Sequence, residues 1–301
     1  MKKMLFVYNP NAGKGLLKPK LSDVLDLFVK ADYEVVVYPT QRYKDAYHKV
    51  VHMDEDYDII VCSGGDGTLD EVVTGMMRKP KKHRIPIGYI PTGTTNDFAS
   101  SLHISRDILK SAHISVHGKP FACDVGMFNS DVFIYVAAFG LFTDVPYQTD
   151  QKLKNALGHA AYLLEGVKRL SNIPSYQIKV TSGDRVIEDT FMIGMISNSR
   201  SVAGFRDIMG KDVRFNDGEF EVTLVKKPKK LSDMNEIVTS LLMGNFDEKH
   251  IYTFKTKEIL FESKEEIPWT LDGEFGGQHD KVHIINKKQA LQIMVERKEE
   301  E

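Results

Sequence analysis

Residues 1–127 predict an α/β domain on a parallel sheet, and residues 128–287 a mainly antiparallel β-sandwich domain. The segment 288–301 is free to return to the first. Three observations lead there. Strand-like runs at 4–8, 33–38, 57–62 and 85–90 alternate with helical spacing, the pattern of strands joined by crossover helices. From about residue 117 the apolar period changes to two, as in antiparallel strands. The 301 residues also exceed what one core usually holds.

Taken in order, Met4-Leu5-Phe6-Val7-Tyr8 predicts the first strand, and Asn9-Pro10-Asn11-Ala12-Gly13-Lys14-Gly15 a Gly-bearing loop after it. That loop has one Lys but lacks the spacing of a Walker loop. Leu21, Val24, Leu25 and Phe28 mark a helix, 33–38 a strand, and Thr40 opens the next loop. The run at 57–62 stops at Ser63-Gly64-Gly65-Asp66-Gly67-Thr68, after which Leu69, Val72, Val73 and Met76 recur at helical spacing until Pro80. After 85–90 comes Pro91-Thr92-Gly93-Thr94-Thr95-Asn96-Asp97-Phe98-Ala99. In the second half, strands are expected at 121–127, 132–139, 176–181, 186–197, 220–225, 251–255 and 259–261, with helices at 152–170 and 231–243 and a last strand at 290–295.

The glycines around Asp66 remove the side chains that would keep a bulky anion from the backbone, so N–H groups at a helix start can face phosphate oxygens. Asp66 itself would repel phosphate. It makes sense facing a cation, a hydroxyl or developing charge, or as a plain helix cap together with Thr68. In an open α/β sheet, loops such as these converge at the carboxyl ends of the strands, so Asp66 and Asp97 are expected to frame one crevice. Two further Asp-Gly pairs, in Phe215-Asn216-Asp217-Gly218-Glu219-Phe220 and Trp269-Thr270-Leu271-Asp272-Gly273-Glu274-Phe275, read as hairpin turns. A carboxylate in the second could instead take a proton from a hydroxyl.

Composition narrows the function. Forty basic against 42 acidic residues give a net charge of -2, which argues against a dedicated nucleic-acid binder. Basic clusters at Lys79, Lys81, Lys82 and Arg84 and at Lys226, Lys227, Lys229 and Lys230 suit solvated loops or an anionic membrane surface. Cys62 and Cys123 lack metal or redox spacing and read as reduced thiols of a cytoplasmic protein. Asn9-Pro10 cuts the N-terminal apolar run too short for a signal peptide, and nothing approaches a membrane span.

Together, Asn9-Pro10-Asn11-Ala12-Gly13-Lys14, Gly64-Gly65-Asp66-Gly67-Thr68-Leu69-Asp70-Glu71-Val72, Gly93-Thr94-Thr95-Asn96-Asp97-Phe98 and the distant Asp272-Gly273-Glu274 resemble the diacylglycerol kinase catalytic-domain family, especially its soluble bacterial lipid kinases. Gly-Gly-Asp-Gly-Thr also occurs in NAD kinases and, with Ser for Thr, in phosphofructokinases; the Gly93-Thr94-Thr95-Asn96-Asp97-Phe98 loop and the distant Asp272-Gly273-Glu274 separate the families. The resemblance implies an NAD kinase/phosphofructokinase-like nucleotide-binding domain, a β-sandwich-like lipid-substrate domain, and an active site in the cleft between them. It implies ATP against Asn9, Pro10, Asn11, Ala12, Gly13, Thr40, Gly64, Gly65, Asp66, Gly67, Thr68, Leu69, Asp70, Thr94 and Asn96. By the same likeness Glu274 is the general base, and Asp66, Asp97 and Asp124 organise a catalytic Mg²⁺ and its waters. A second, structural Mg²⁺ falls on Arg214, Asp217 and Glu219, with Arg214 and Glu219 contributing carbonyls, since a guanidinium cannot ligate.

The expected activity is γ-phosphate transfer from ATP to a lipid hydroxyl, diacylglycerol becoming phosphatidic acid. A kinase of NAD or a sugar phosphate, or a non-catalytic nucleotide- or lipid-binding regulator, are the alternatives. Expected partners are a lipid substrate at the membrane surface and a second copy in a homodimer, with no nucleic acid. The place is the cytoplasm, peripherally at the inner membrane face. Phe133, Tyr135, Phe139 and Phe142 are open to two readings, a lipid pocket or plain core packing.

Overall fold

Met4, Leu5, Phe6 and Val7 are all fully buried, which requires a strand covered on both faces. In the computed structural model this is β1, Lys2–Tyr8. The structure describes residues 1–53, 56–140, 174–198, 201–202, 205–206, 214–243 and 246–297. The expected helix at 152–170 and Phe142 lie outside them. The chain divides into two units, one of Met1–Val125 with Lys287–Glu301 and one of Gly126–Asn286.

In the first unit β1 pairs in parallel with β2, Tyr33–Pro39, and with β3, Ile59–Gly64. On its other edge β3 pairs in parallel with β4, Ile87–Pro91. The registers Tyr8↔Pro39, Tyr8↔Ser63 and Gly64↔Pro91 bring the loops after all four strands to one edge. Helix α1, Leu21–Lys30, buries Val24 and Phe28, with Phe28 edge-on to Phe6 at 5.4 Å. Helix α2 spans Asp45–Val51, and α3, Asp66–Met77, fully buries Leu69, Val72, Val73 and Met76. Across the unit, Glu71 of α3 accepts the Lys44 and Ala46 N–H groups at 2.8 and 3.0 Å, satisfying the start of α2 in place of a local cap.

Two helices carry little apolar periodicity in the sequence. One is α4, Asp97–Ser101. The other is α5, Ile108–His117, whose Asp107 cap accepts the Lys110 N–H at 2.7 Å. The buried face of α5 includes Ser111 and Ser115, whose hydroxyls donate to the Asp107 and Ser111 carbonyls at 2.8 and 2.9 Å. Small serines on the inner face erase the signal that marks α1 and α3.

The second unit is antiparallel throughout its described part. β5, Lys119–Phe128, runs into it and pairs there with β6, Asp131–Phe133. The other strands are β7 (Val136–Gly140), β8 (Tyr176–Ser182), β9 (Arg185–Ser197) and the short pair β10 (Ser201–Val202) and β11 (Phe205–Arg206). They continue with β12 (Phe220–Lys226), β13 (Ile251–Thr256), β14 (Glu258–Leu271) and β15 (Glu274–Val295). Both β7 and β8 pair with β9 and with β14, so the ladder returns on itself. One helix, α6 (Leu231–Met243), follows the lysine cluster.

The core of this unit is aromatic. Trp269 meets Phe128, Phe139 and Phe261 edge-on at 5.1, 4.8 and 5.2 Å. Phe133 packs on Phe220 at 5.4 Å and is fully buried. Of the aromatics open to a pocket reading, Phe133 and Phe139 are core residues, and the Tyr135 hydroxyl is tied to the Asp272 carbonyl at 3.0 Å.

Three strand expectations need correction, one of them the last strand, which was expected at 290–295 and begins at Glu274. The run 132–139 is broken at Ile134 and Tyr135, whose N–H groups turn to the Asp272 carboxylate instead of a ladder. The strand expected at 259–261 extends to Leu271 with a register shift between Glu262 and Ile267, across a charged stretch that hid it. From Lys287 onward β15 belongs to the first unit. There Ile293 pairs in parallel with Ile87 of β4, and the Arg84 guanidinium donates to the Ala290 carbonyl at 3.0 Å.

Candidate active site

The loops at the sheet edge are locked together by their backbones. The Asn9 N–H donates to the Ser63 carbonyl at 2.9 Å, the Thr40 N–H to Tyr8 at 2.9 Å, and the Thr92 N–H to Gly64 at 2.8 Å. Within the first loop Asn9 Oδ1 accepts the Asn11 N–H at 2.9 Å, which turns the chain through Pro10 and Ala12. Gly13 follows at φ 56°, and a methyl group there would lie 2.1 Å from the Thr92 carbonyl oxygen. A methyl at Gly93 would lie 2.4 Å from the Gly65 Cα. These two glycines let the first and third loops close on the fourth, leaving room only for backbone.

Asn96, also at positive φ, clamps the last loop: its Oδ1 accepts the Gly93 N–H at 3.0 Å and its Nδ2 donates to the Gly93 carbonyl at 2.8 Å. The buried Tyr89 hydroxyl lies 3.3 Å from both the Gly64 carbonyl and Asn96 Oδ1, joining two loops. Arg106 holds the Thr95 carbonyl at 2.6 Å beside the exposed Thr94. Sequence reasoning missed Tyr89, Arg106 and the role of Gly93. Only the fold brings the first two to the loops.

Asp66 opens α3, with Gly67, Thr68, Leu69 and Asp70 in the turns after it; the Thr68 and Leu69 N–H groups donate to the Gly65 carbonyl at 3.1 and 3.2 Å. Asp66 Oδ2 accepts the Asp97 N–H at 3.3 Å, so the Asp66 side chain is tied to the start of the loop-bound helix α4. Burial pushes the Asp66 carboxyl up from its ordinary value, against the pull of backbone N–H groups at Asp97, Phe98 and Asn96. Burial and the neighbouring Asp66 charge push Asp97 up to about 6, with Arg106 opposing. Asp66 Oδ1 is buried with no hydrogen-bond partner, as are Ser63 Oγ and Thr92 Oγ1. Two carboxyls both raised by burial, Asp97 further by the charge of Asp66, beside an unpartnered oxygen fit a cation, which would relieve both burial and repulsion.

Asp124, which the resemblance assigns to the same Mg²⁺, is a β5 residue. It is fully buried in β5 and accepts the Gln289 N–H at 2.7 Å, holding the returning strand. Among the described residues no three His, Cys, Asp or Glu side chains gather as a metal-ligand cluster. Asp66 and Asp97 are the carboxylates brought together.

In the second unit Asp272 and Gly273 have φ of 51° and 85° and form the two-residue hairpin that pairs Leu271 with Glu274. The Asp272 carboxylate is buried: Oδ2 accepts the Ile134 N–H at 2.6 Å and Oδ1 those of Tyr135 and Val136 at 2.9 Å each. Glu274, two residues on, is exposed at the head of β15. At the other Asp-Gly turn, Arg214 is exposed and Asp217 Oδ1 accepts the Glu219 N–H at 3.0 Å, while Lys255 Nζ faces Asp217 Oδ2 at 3.6 Å. With an ammonium already there, the turn does not fit a Mg²⁺.

The raised carboxyls have a stability consequence. A folded value near 6 for Asp97, above the ordinary 3.8, means its stabilising contribution is fully present below about pH 4 and is lost as pH rises through about 6. Urea midpoints of the ligand-free protein should therefore carry a component falling between pH 4 and pH 7. Asp97→Asn should flatten that component and gain about 1–3 kcal/mol at pH 7.

The profile of the family described as the diacylglycerol kinase catalytic domain matches residues 3–128. A diacylglycerol kinase of Staphylococcus carnosus (strain TM300) is 35% identical over 295 residues, 97% of this chain and 94% of the relative. One of Bacillus subtilis (strain 168) is 32% identical over 300 residues, 96% of this chain and 98% of the relative. A crystal structure of a diacylglycerol kinase from Bacillus anthracis str. Sterne superposes with a TM-score of 0.80 at 24% identity, covering 97% of this chain and 96% of that one, a likeness of fold. With identity of this order along nearly its whole length, the chain belongs to the diacylglycerol kinase family and is an ATP-dependent phosphotransferase with an alcohol acceptor.

Proposed function

We propose that the chain transfers the γ-phosphate of ATP to the hydroxyl of diacylglycerol, forming phosphatidic acid. In this reading the first unit is the NAD kinase/phosphofructokinase-like nucleotide-binding part and the second carries the lipid. The observation that carries it is the backbone-only meeting of Gly65 with Gly93 beside the unpartnered Asp66 Oδ1, an anion cradle with an acidic group that needs a cation. Family membership and the relatives' names support the acceptor.

The chain's own residues would act as follows. N–H groups at the start of α3, from Gly65 to Gly67, face the phosphate chain, while residues 9–13, Thr40, Thr68, Asp70 and Thr94 border the rest of the nucleotide. Asp66 and Asp97 would hold Mg²⁺, which when bound neutralises the phosphate charge these carboxylates would otherwise repel. Asp124 acts through the strand it keeps in place. Glu274 takes the proton of the lipid hydroxyl as that oxygen bonds to the γ-phosphorus and the bond to ADP breaks. No helix among the described residues is long and apolar enough to cross a membrane. The proposal places the protein in the cytoplasm, meeting its substrate peripherally at the inner membrane face.

The test is incubation with labelled ATP, Mg²⁺ and a panel of lipids in mixed micelles, beside NAD and sugar phosphates without detergent. Label in phosphatidic acid is the expected result; label only in a water-soluble acceptor, or none, overturns the reading. In the same assay Asp66→Asn should lower activity and raise the Mg²⁺ needed for half-activation about tenfold or more. An unchanged Mg²⁺ titration with full activity would make Asp66 a helix cap, worth about 1 kcal/mol of stability.

A further inference from the structure

The resemblance that assigns a structural metal to Arg214, Asp217 and Glu219 meets a contrary arrangement at that turn. Glu221 of β12 and Lys255 of β13 are direct cross-strand partners, so the Lys255 ammonium is delivered by strand register and not by a loop. It lies 3.0 Å from Glu221 Oε1 and 3.6 Å from Asp217 Oδ2, bridging the two carboxylates. Glu221 is only 6% exposed; burial pushes its carboxyl up, and the Lys255 ammonium opposes that push by favouring the charged form. The other Asp217 oxygen is engaged by the Glu219 N–H at 3.0 Å, which shapes the turn from within. A Mg²⁺ ligated by Asp217 Oδ2 at about 2.1 Å would sit at most about 5.7 Å from the ammonium, given the 3.6 Å contact.

We propose that Lys255 is the resident cation of the Asp217–Glu221 turn and holds it without a metal. The ammonium serves both carboxylates at once, and the turn that leads into β12 is then complete with the chain's own atoms.

The test uses the full chain, freed of metal with EDTA, and follows its thermal midpoint with and without Mg²⁺ in the absence of nucleotide. The wild-type midpoint should show no Mg²⁺ response that Asp217→Asn removes. Lys255→Met, which keeps the stem and deletes the charge, should lower the midpoint by about 2–8 °C, and Lys255→Arg should restore most of it. A wild-type midpoint that Mg²⁺ raises, with the rise abolished by Asp217→Asn, overturns the proposal, as does an unchanged midpoint in Lys255→Met. Should Lys255→Met not fold, bound Mg²⁺ per chain after equilibrium dialysis decides. Equal content in wild type and Asp217→Asn supports the internal cation, and an excess of one ion per chain in wild type overturns it.

Discussion

Glu274→Gln is expected to lower turnover about a hundredfold or more while the thermal midpoint and ATP affinity stay at wild-type values. The substitution keeps shape and removes only the ability to accept a proton. Its site is permissive: Glu274 is exposed, it pairs through its backbone with Leu271, and the hairpin geometry is set by Asp272 and Gly273. Steady-state kinetics with diacylglycerol micelles, beside a circular-dichroism melt, check it. Near-normal turnover would remove Glu274 from the chemistry, and a lowered melt would mean its role is structural.

Two residues earlier the opposite outcome is expected. Asp272→Ala should cost about 3–5 kcal/mol of stability, because it strips acceptors from buried N–H groups at Ile134, Tyr135 and Val136 simultaneously. It also places alanine at φ 51°, where a residue without a short polar side chain is strained. Asp272→Asn retains one acceptor oxygen and tolerates that backbone, so it should fall between alanine and wild type. Urea denaturation measures both. In conditions where the variant remains folded, turnover per folded molecule should approach wild type, which sets it apart from Glu274→Gln.

That contrast shows where sequence reading ends. Asp272 and Glu274 stand in one motif, and nothing in the string tells that the first is sunk under Tyr135 while the second faces solvent. The strand at Met4–Val7 was legible because burial on both faces leaves no polar position to confuse the period. The first half of β15 was not, since Gln278, Asp280 and Lys281 lie among its exposed positions and mask a regular ladder with β14. Gly13, Gly64 and Gly65 announce a backbone cradle through composition alone. The clamp on it was invisible: Tyr89 and Arg106 are ordinary residues of a strand and a loop until Gly64, Thr95 and Asn96 come within reach. The Glu221–Lys255 pair depends on strand register, which spacing in sequence does not disclose.

The return of the last strand to β4 has a consequence for how the protein is made. On the ribosome, residues 1–125 emerge with the β4 edge bare and the Arg84 guanidinium and the Asp124 carboxylate waiting for Ala290 and Gln289, which are synthesised only after the whole second unit. The nascent first unit is therefore an unfinished sheet for most of translation, with an open edge that invites wrong partners. A gene fragment ending near residue 128 would inherit that unfinished state permanently.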